Sequence, residues 1–258
     1  MSGSGRIFDA LVRSMPEDAR IEDVSVGIFW TYVRTQYGSS LSATAHRWQE
    51  DPEGALIPYA GSLCGMLVRD VAPLYDSDSL SARALANAAV GASFRSEDMT
   101  GSRYAGRAQA LLAEVCAARG PGLRIALVGH FHFADQLVGL GHKLDVFELE
   151  GRCQPGDIPC TRFAEFLPLA DIVVMTSSTL LTHAVEQILG YCRPDAYRMI
   201  VGPTVPLHPV LWAFGLDAVC GNIIHDDAQV SRAVREGGNH KQLTGCAKYN
   251  FLTPIKRV

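Results

Sequence analysis

Apolar and polar positions follow two different rhythms along this chain, and the change falls near residue 120. In the first part, Ile7, Leu11 and Val12 lie on one face at helical spacing, which predicts a short amphipathic helix over 6–14. The runs Val24–Val33 and Ser40–His46 read as antiparallel strands, with Tyr37-Gly38-Ser39 as the turn between them. Helical patterns follow near 61–71, 79–91 and 102–118, the second rich in alanine and suited to close packing on a sheet. Strands followed by helices make an α+β pattern.

After Gly120-Pro121-Gly122 short apolar runs alternate with helical segments. Strands are expected near 123–128, 144–149, 171–176, 197–202 and 217–221, and helices near 134–140, 161–167, 179–191, 208–214 and 226–236. Runs such as Ile125-Ala126-Leu127-Val128 and Ile172-Val173-Val174-Met175 are continuously apolar, as parallel strands covered on both faces must be. The expected architecture is α/β: a Rossmann-like parallel-sheet domain over 101–258, preceded by a smaller α+β domain over 1–100.

Composition narrows the class without changing this picture. With 48% apolar and 19% charged residues, and a net charge of −4, the chain carries no electrostatic footprint for nucleic acid. Seven cysteines, odd in number and without a CxxC pair, argue against a disulfide framework and for a reducing cytoplasm. The polar start Met1-Ser2-Gly3-Ser4-Gly5 does not read as a secretion signal, and no apolar run approaches the roughly 20 residues that span a bilayer. A homo-oligomer stays open.

Ligands of open parallel sheets bind beyond the carboxyl ends of the strands. Those ends carry Gly129-His130-Phe131-His132, Glu148 to Asp157, Thr176-Ser177-Ser178 and Gly202-Pro203-Thr204. A nucleotide is one candidate, because Glu148 falls about 20 residues after the glycine loop. Phe131, however, stands where the second glycine would let a pyrophosphate approach. A divalent transition metal is another: His130 and His132, two apart, share one side of an extended chain, and imidazole is a common ligand. In the plainer reading His130 hydrogen-bonds a substrate or a carbonyl and His132 lies on the surface. No Gly-x-Ser-x-Gly elbow, P-loop or HExxH is present.

Several segments together resemble a known family. Val128-Gly129-His130-Phe131, Glu148 with Gly156-Asp157-Ile158-Pro159, Leu167 to Thr176, and Gly202 to Leu207 are similar to the "putative heavy-metal chelation" family, as are Val26 to Thr31 and Ala86 to Ala92. The resemblance implies an enolase N-terminal-like domain followed by a Rossmann-like one, a site in the cleft between them, and a role connected with metals. Two positions depart from the family pattern: His132 stands where proline is usual, and Thr182-His183 where asparagine is usual.

The resulting expectation is a protein that binds a small ligand, a metal ion or a metal chelate in the interdomain cleft, with a role in heavy-metal chelation or metallophore metabolism. His130 is the central polar contact, Glu148 and Asp157 its acidic partners, and Gly129, Phe131, Thr176, Thr204 and Trp30 surround the ligand. His130 and His132 are the candidate metal ligands. The alternatives are an enzyme acting on a small organic molecule with His130 as acid or base, and a nucleotide-binding Rossmann protein.

Overall fold

The computed structural model of the chain describes residues 6–44 and 57–254. It opens with helix α1 (Ile7–Ser14), whose Ile7 and Leu11 are buried as the spacing requires. Three antiparallel strands follow: β1 (Ile21–Val26), β2 (Trp30–Thr35) and β3 (Ser39–Ala43), in the order β1-β2-β3. The apolar run 24–33 is therefore two strands rather than one. It folds back at Gly27, whose N–H donates to the Trp30 carbonyl at 2.8 Å. A Cβ at Gly27 would lie 2.0 Å from the Val234 carbonyl oxygen, so only glycine fits where the hairpin meets the second half of the chain. Ile28, at the tip, is 55% exposed, and the apolar run conceals this turn. The second turn falls at Gly38, as expected, with Thr35 N–H donating to its carbonyl. Ala45 and His46 of the second expected strand lie outside the described residues.

The expected helix at 61–71 is reduced to α2 (Val68–Val71), running into a 3-10 turn at Ala72–Asp76. Gly61 and Gly65 both take positive φ and break the earlier pattern. Helix α3 (Leu80–Ala92) begins where the Ser79 hydroxyl accepts from Ala82 N–H. It is buried on nearly every side because its alanines allow the small sheet and the second half to approach it together.

The expected helix at 102–118 divides into strand β4 (Ser102–Ala105) and helix α4 (Ala108–Arg119). Then come β5 (Arg124–Val128), α5 (Ala134–Gly139), β6 (Lys143–Glu148), β7 (Ile158–Pro159), α6 (Phe163–Phe166), β8 (Ile172–Thr176), α7 (Val185–Tyr191), β9 (Tyr197–Val201), β10 (Ala218–Ile224), α8 (Asp227–Arg235) and β11 (Cys246–Leu252). The expected helix at 179–191 is shorter, because Ser177–Leu180 form a 3-10 turn and His183 takes φ +55° before α7 begins. The segment at 208–214 is likewise a 3-10 turn, Pro209–Phe214.

These strands form an eight-stranded sheet in the order β4-β11-β10-β9-β8-β5-β6-β7. From β10 to β7 it is parallel throughout, while β11 runs antiparallel to both of its neighbours, β10 and β4. Strand order reverses between β5 and β8, which makes their carboxyl ends the topological switch point. Alternate residues of each strand enter different cores. Ile125, Leu127, Ile172 and Val174 join one cluster with Leu111 and Leu112 of α4. Ala126, Val128, Val173 and Met175 join a second cluster that also holds Ile7, Leu11, Val33 and Leu85, so both halves of the chain share one core.

Candidate functional site

Gly129 ends β5 with φ +96°, and a Cβ there would come within 3.0 Å of Thr176 Cγ2 on the neighbouring strand end. Glycine is thus required both by the backbone and by the close passage of β8. The turn presents His130 to the ends of β6 and β7. Its Nδ1 lies 3.0 Å from Glu148 Oε2, and its Nε2 lies 2.9 Å from Asp157 Oδ2. The two carboxylate side chains are 10% and 8% exposed, against 37% for the imidazole they grip. Ionised carboxylates only accept, so the ring makes both bonds together when both nitrogens carry protons. Each carboxylate is also anchored: Glu148 Oε1 accepts from Leu149 N–H, and Asp157 Oδ2 from Gln154 N–H.

Beside this clamp lies a cleft of about 440 Å³, lined by Gly129, His130, Glu148, Thr176, Ser178 and Gln187 among others. Apolar walls come from Val128, Phe147, Leu149 and Phe163. Cys160 also lines it, and burial, with Glu148 and Cys153 nearby, pushes its thiol up to about 12. The thiol is therefore neutral at physiological pH. Thr176 closes the β8 end, its Oγ1 accepting from Ser178 N–H at 3.4 Å.

Two family models, both described as "Putative heavy-metal chelation", match residues 8–94 and 112–253. The chain belongs to this family. Two solved structures share its fold along nearly their whole length. A protein of unknown function from the DUF364 family of Desulfitobacterium hafniense DCB-2 is 22% identical, with 96% of this chain and 97% of that one covered and a TM-score of 0.78. A DUF364-family protein of unknown function from Pyrococcus horikoshii is 17% identical, with 96% and 98% covered and a TM-score of 0.78. No curated protein matches the chain.

Of the site residues expected from the sequence, Gly129, His130, Glu148 and Thr176 come together on the cleft, and Asp157 meets His130 from its other ring nitrogen. The others stand elsewhere. Phe131 stacks on Phe133 at 5.1 Å and packs toward the α4 side of the sheet, which explains an aromatic residue in a glycine-rich position. Its neighbour His132 is exposed and meets the edge of Phe133 rather than the cleft. Thr204 is 1% exposed. Its Oγ1 accepts from Ala43 N–H at 3.0 Å, and its carbonyl accepts from Asn87 Nδ2 at 2.8 Å. Trp30 packs against Ala43, Ala84 and Leu181. Both are seam residues where the halves join.

The cleft is lined wholly by residues from 128 to 187 and not by both halves. A smaller cavity of about 200 Å³ does lie at the seam, between Ser40, Arg95, Pro203 and Asn222. Pattern reading did not single out Arg152 and Gln187 as cleft residues, whereas Ser178, at an expected ligand-side strand end, and Thr182, noted as a departure from the family pattern, do line it. Gln187 has a visible signal, since it sits in the first turn of a helix that starts from the switch point. His183 points away, Nε2 meeting the Tyr75 carbonyl at 3.0 Å.

A bare metal ion does not fit the residues as they stand. Among the described residues no group of three or more His, Cys, Asp or Glu side chains converges on an ion position. Both nitrogens of His130 face carboxylates, and a ligating imidazole needs one free lone pair. Also among the described residues, no helix is long and apolar enough to cross a membrane.

Proposed function

We propose that the chain binds a small organic molecule, alone or as a metal chelate, in the cleft at the carboxyl ends of β5, β6 and β8. The supporting observation is the size and place of the cleft: about 440 Å³ at the switch point, within the range of organic-ligand pockets. A chelate reconciles the family's connection with metals with a site that lacks a converging donor set, because the organic partner supplies the donors and the protein recognises the complex. His130 is the central polar group of the wall, held in place by Glu148 and Asp157. Acid–base chemistry at His130 would first require release of one carboxylate. An odd number of cysteines without a CxxC pair supports a reducing compartment such as the cytoplasm.

Calorimetric titration with Ni²⁺, nitrilotriacetate and their complex tests the reading. The complex should bind at one site, bare Ni²⁺ more weakly, and His130→Ala should abolish saturable binding of the complex. Tighter binding of bare Ni²⁺ at a single site lost in His130→Ala would contradict it and favour direct coordination.

A further inference from the structure

We infer that the protein has a second binding site, for a phosphate group, on the other face of the sheet at the start of α4, whatever the cleft holds. The cleft draws apolar walls from Val128, Phe147 and Phe163, which belong to one core, whereas α4 packs on the opposite one. Helix α4 starts without a cap: Arg107 stands at the N-cap with no side-chain bond to the first amides, and the first turn holds no acid. Its leading N–H groups and the positive end of its dipole are therefore unspent.

A buried side chain points to the same place. Asn250 of β11 is 0% exposed, yet neither its amide oxygen nor its nitrogen has a partner. A Cβ on Gly106, the residue before Arg107, would lie 3.3 Å from Asn250 Nδ2, so the amide faces the entry to α4. Directly across the β4–β11 pair, the Tyr104 hydroxyl is also buried and unpartnered. Native interiors rarely leave such groups unsatisfied, and here the unused donors of helix and amide call for one shared acceptor.

Positive charge gathers around this entry. Lys248, two residues from Asn250 and on the same face of β11, accepts Gly106 N–H on its carbonyl at 3.0 Å. Partial burial, then Lys248, Lys241 and His132, hold the His240 imidazole below its usual value, and no carboxylate is among the groups acting on it. Arg107, His132, His240, Lys241 and Lys248 are all exposed, and among the described residues none forms an ion pair with an acid. Such an array repels a metal cation. A phosphate ester carries a charge of about −1.5 to −2 at pH 7 and several acceptor oxygens, which suits helix amides, a buried amide and flexible ammonium groups converging on it.

Calorimetric titration of the full chain with inorganic phosphate, glycerol phosphate and acetate tests this, with Arg107→Asp, Lys248→Gln and Thr182→Phe as variants and thermal melts alongside. Both phosphates should bind at one site, and acetate about tenfold more weakly or worse; the tighter of the two phosphates tells whether the free ion or an ester is the better occupant. Arg107→Asp gives α4 an acidic cap in place of a cation, so its Tm should equal or exceed native while phosphate binding falls about tenfold or more. Lys248→Gln should weaken binding about threefold or more. Thr182→Phe, which fills the cleft, should leave it unchanged. Absence of saturable phosphate binding, acetate binding as tight as phosphate, or an Arg107→Asp affinity within about twofold of native overturns the inference. Loss of binding in Thr182→Phe with retention in Arg107→Asp overturns it too, by placing the phosphate in the cleft.

Discussion

Thr204 offers a sharp separation between a ligand contact and a structural one. Replacing it with valine keeps the branched shape and removes one hydroxyl. In the structure that hydroxyl is the acceptor for Ala43 N–H at the edge of β3, at 3.0 Å, in a residue 1% exposed. Valine leaves the amide buried without a partner, which costs about 1–3 kcal/mol. The other two bonds, from Thr204 N–H to Ser177 Oγ and from Asn87 Nδ2 to the Thr204 carbonyl, are made by the Thr204 backbone and survive. For a chain of this length a loss of about 2 kcal/mol corresponds to a fall of about 4–8 °C in Tm. Because both halves share one core, urea unfolding should remain a single transition, with a lower midpoint and an unchanged slope. Binding of the nickel–nitrilotriacetate complex should match native. Stability within about 0.5 kcal/mol of native, or a loss of binding without a loss of stability, would refute the seam role.

Other outcomes follow from individual residues. Cys64 is exposed whereas the Cys160 thiol is pushed up to about 12, so iodoacetamide at pH 8 should modify Cys64 long before Cys160; equal rates by mass spectrometry would contradict the burial argument. Gly190 lies inside α7 with nothing within 4 Å of an added methyl group, so Gly190→Ala should stabilise by about 0.5–1 kcal/mol, while Gly27→Ala, facing the Val234 carbonyl at 2.0 Å, should be strongly destabilised in the same melts. Burial lowers the imidazoles of His183 and His208 below their usual value near 6.5. The unfolded chain then takes up these protons first, so their contribution is intact above the unfolded value of about 6.5 and is lost as pH falls below it. The urea midpoint should drop between pH 7 and pH 5, less steeply in His183→Gln; an identical slope in native and variant would contradict this.

The parallel sheet was legible because strands buried on both faces must be continuously apolar, as Ile125 to Val128 and Ile172 to Met175 are. Gly129, His130, Glu148 and Thr176 were legible for a related reason: each directly ends or follows such a strand. β4 and β11 were not, since an edge pair can carry Arg103, Lys248 and Asn250 and shows no apolar run. The Gly27 turn was hidden by its own neighbours, Val26 and Ile28, which are apolar yet 40% and 55% exposed. Phe131 could be recognised as an obstacle to a dinucleotide, but its packing beside Phe133 depends on which face of the sheet the loop crosses. Thr204 and Trp30 look like pocket residues in a linear reading because seam and site use the same strand ends, and only the tertiary arrangement assigns them to the seam.

The location of a bound chelate tests the central claim most directly. Crystals soaked with the nickel–nitrilotriacetate complex and measured at the nickel edge should show one strong anomalous peak inside the cleft bounded by Glu148, Thr176 and Gln187. A peak in the seam cavity beside Arg95 and Asn222, or on the exposed His132 with the cleft empty, would contradict it.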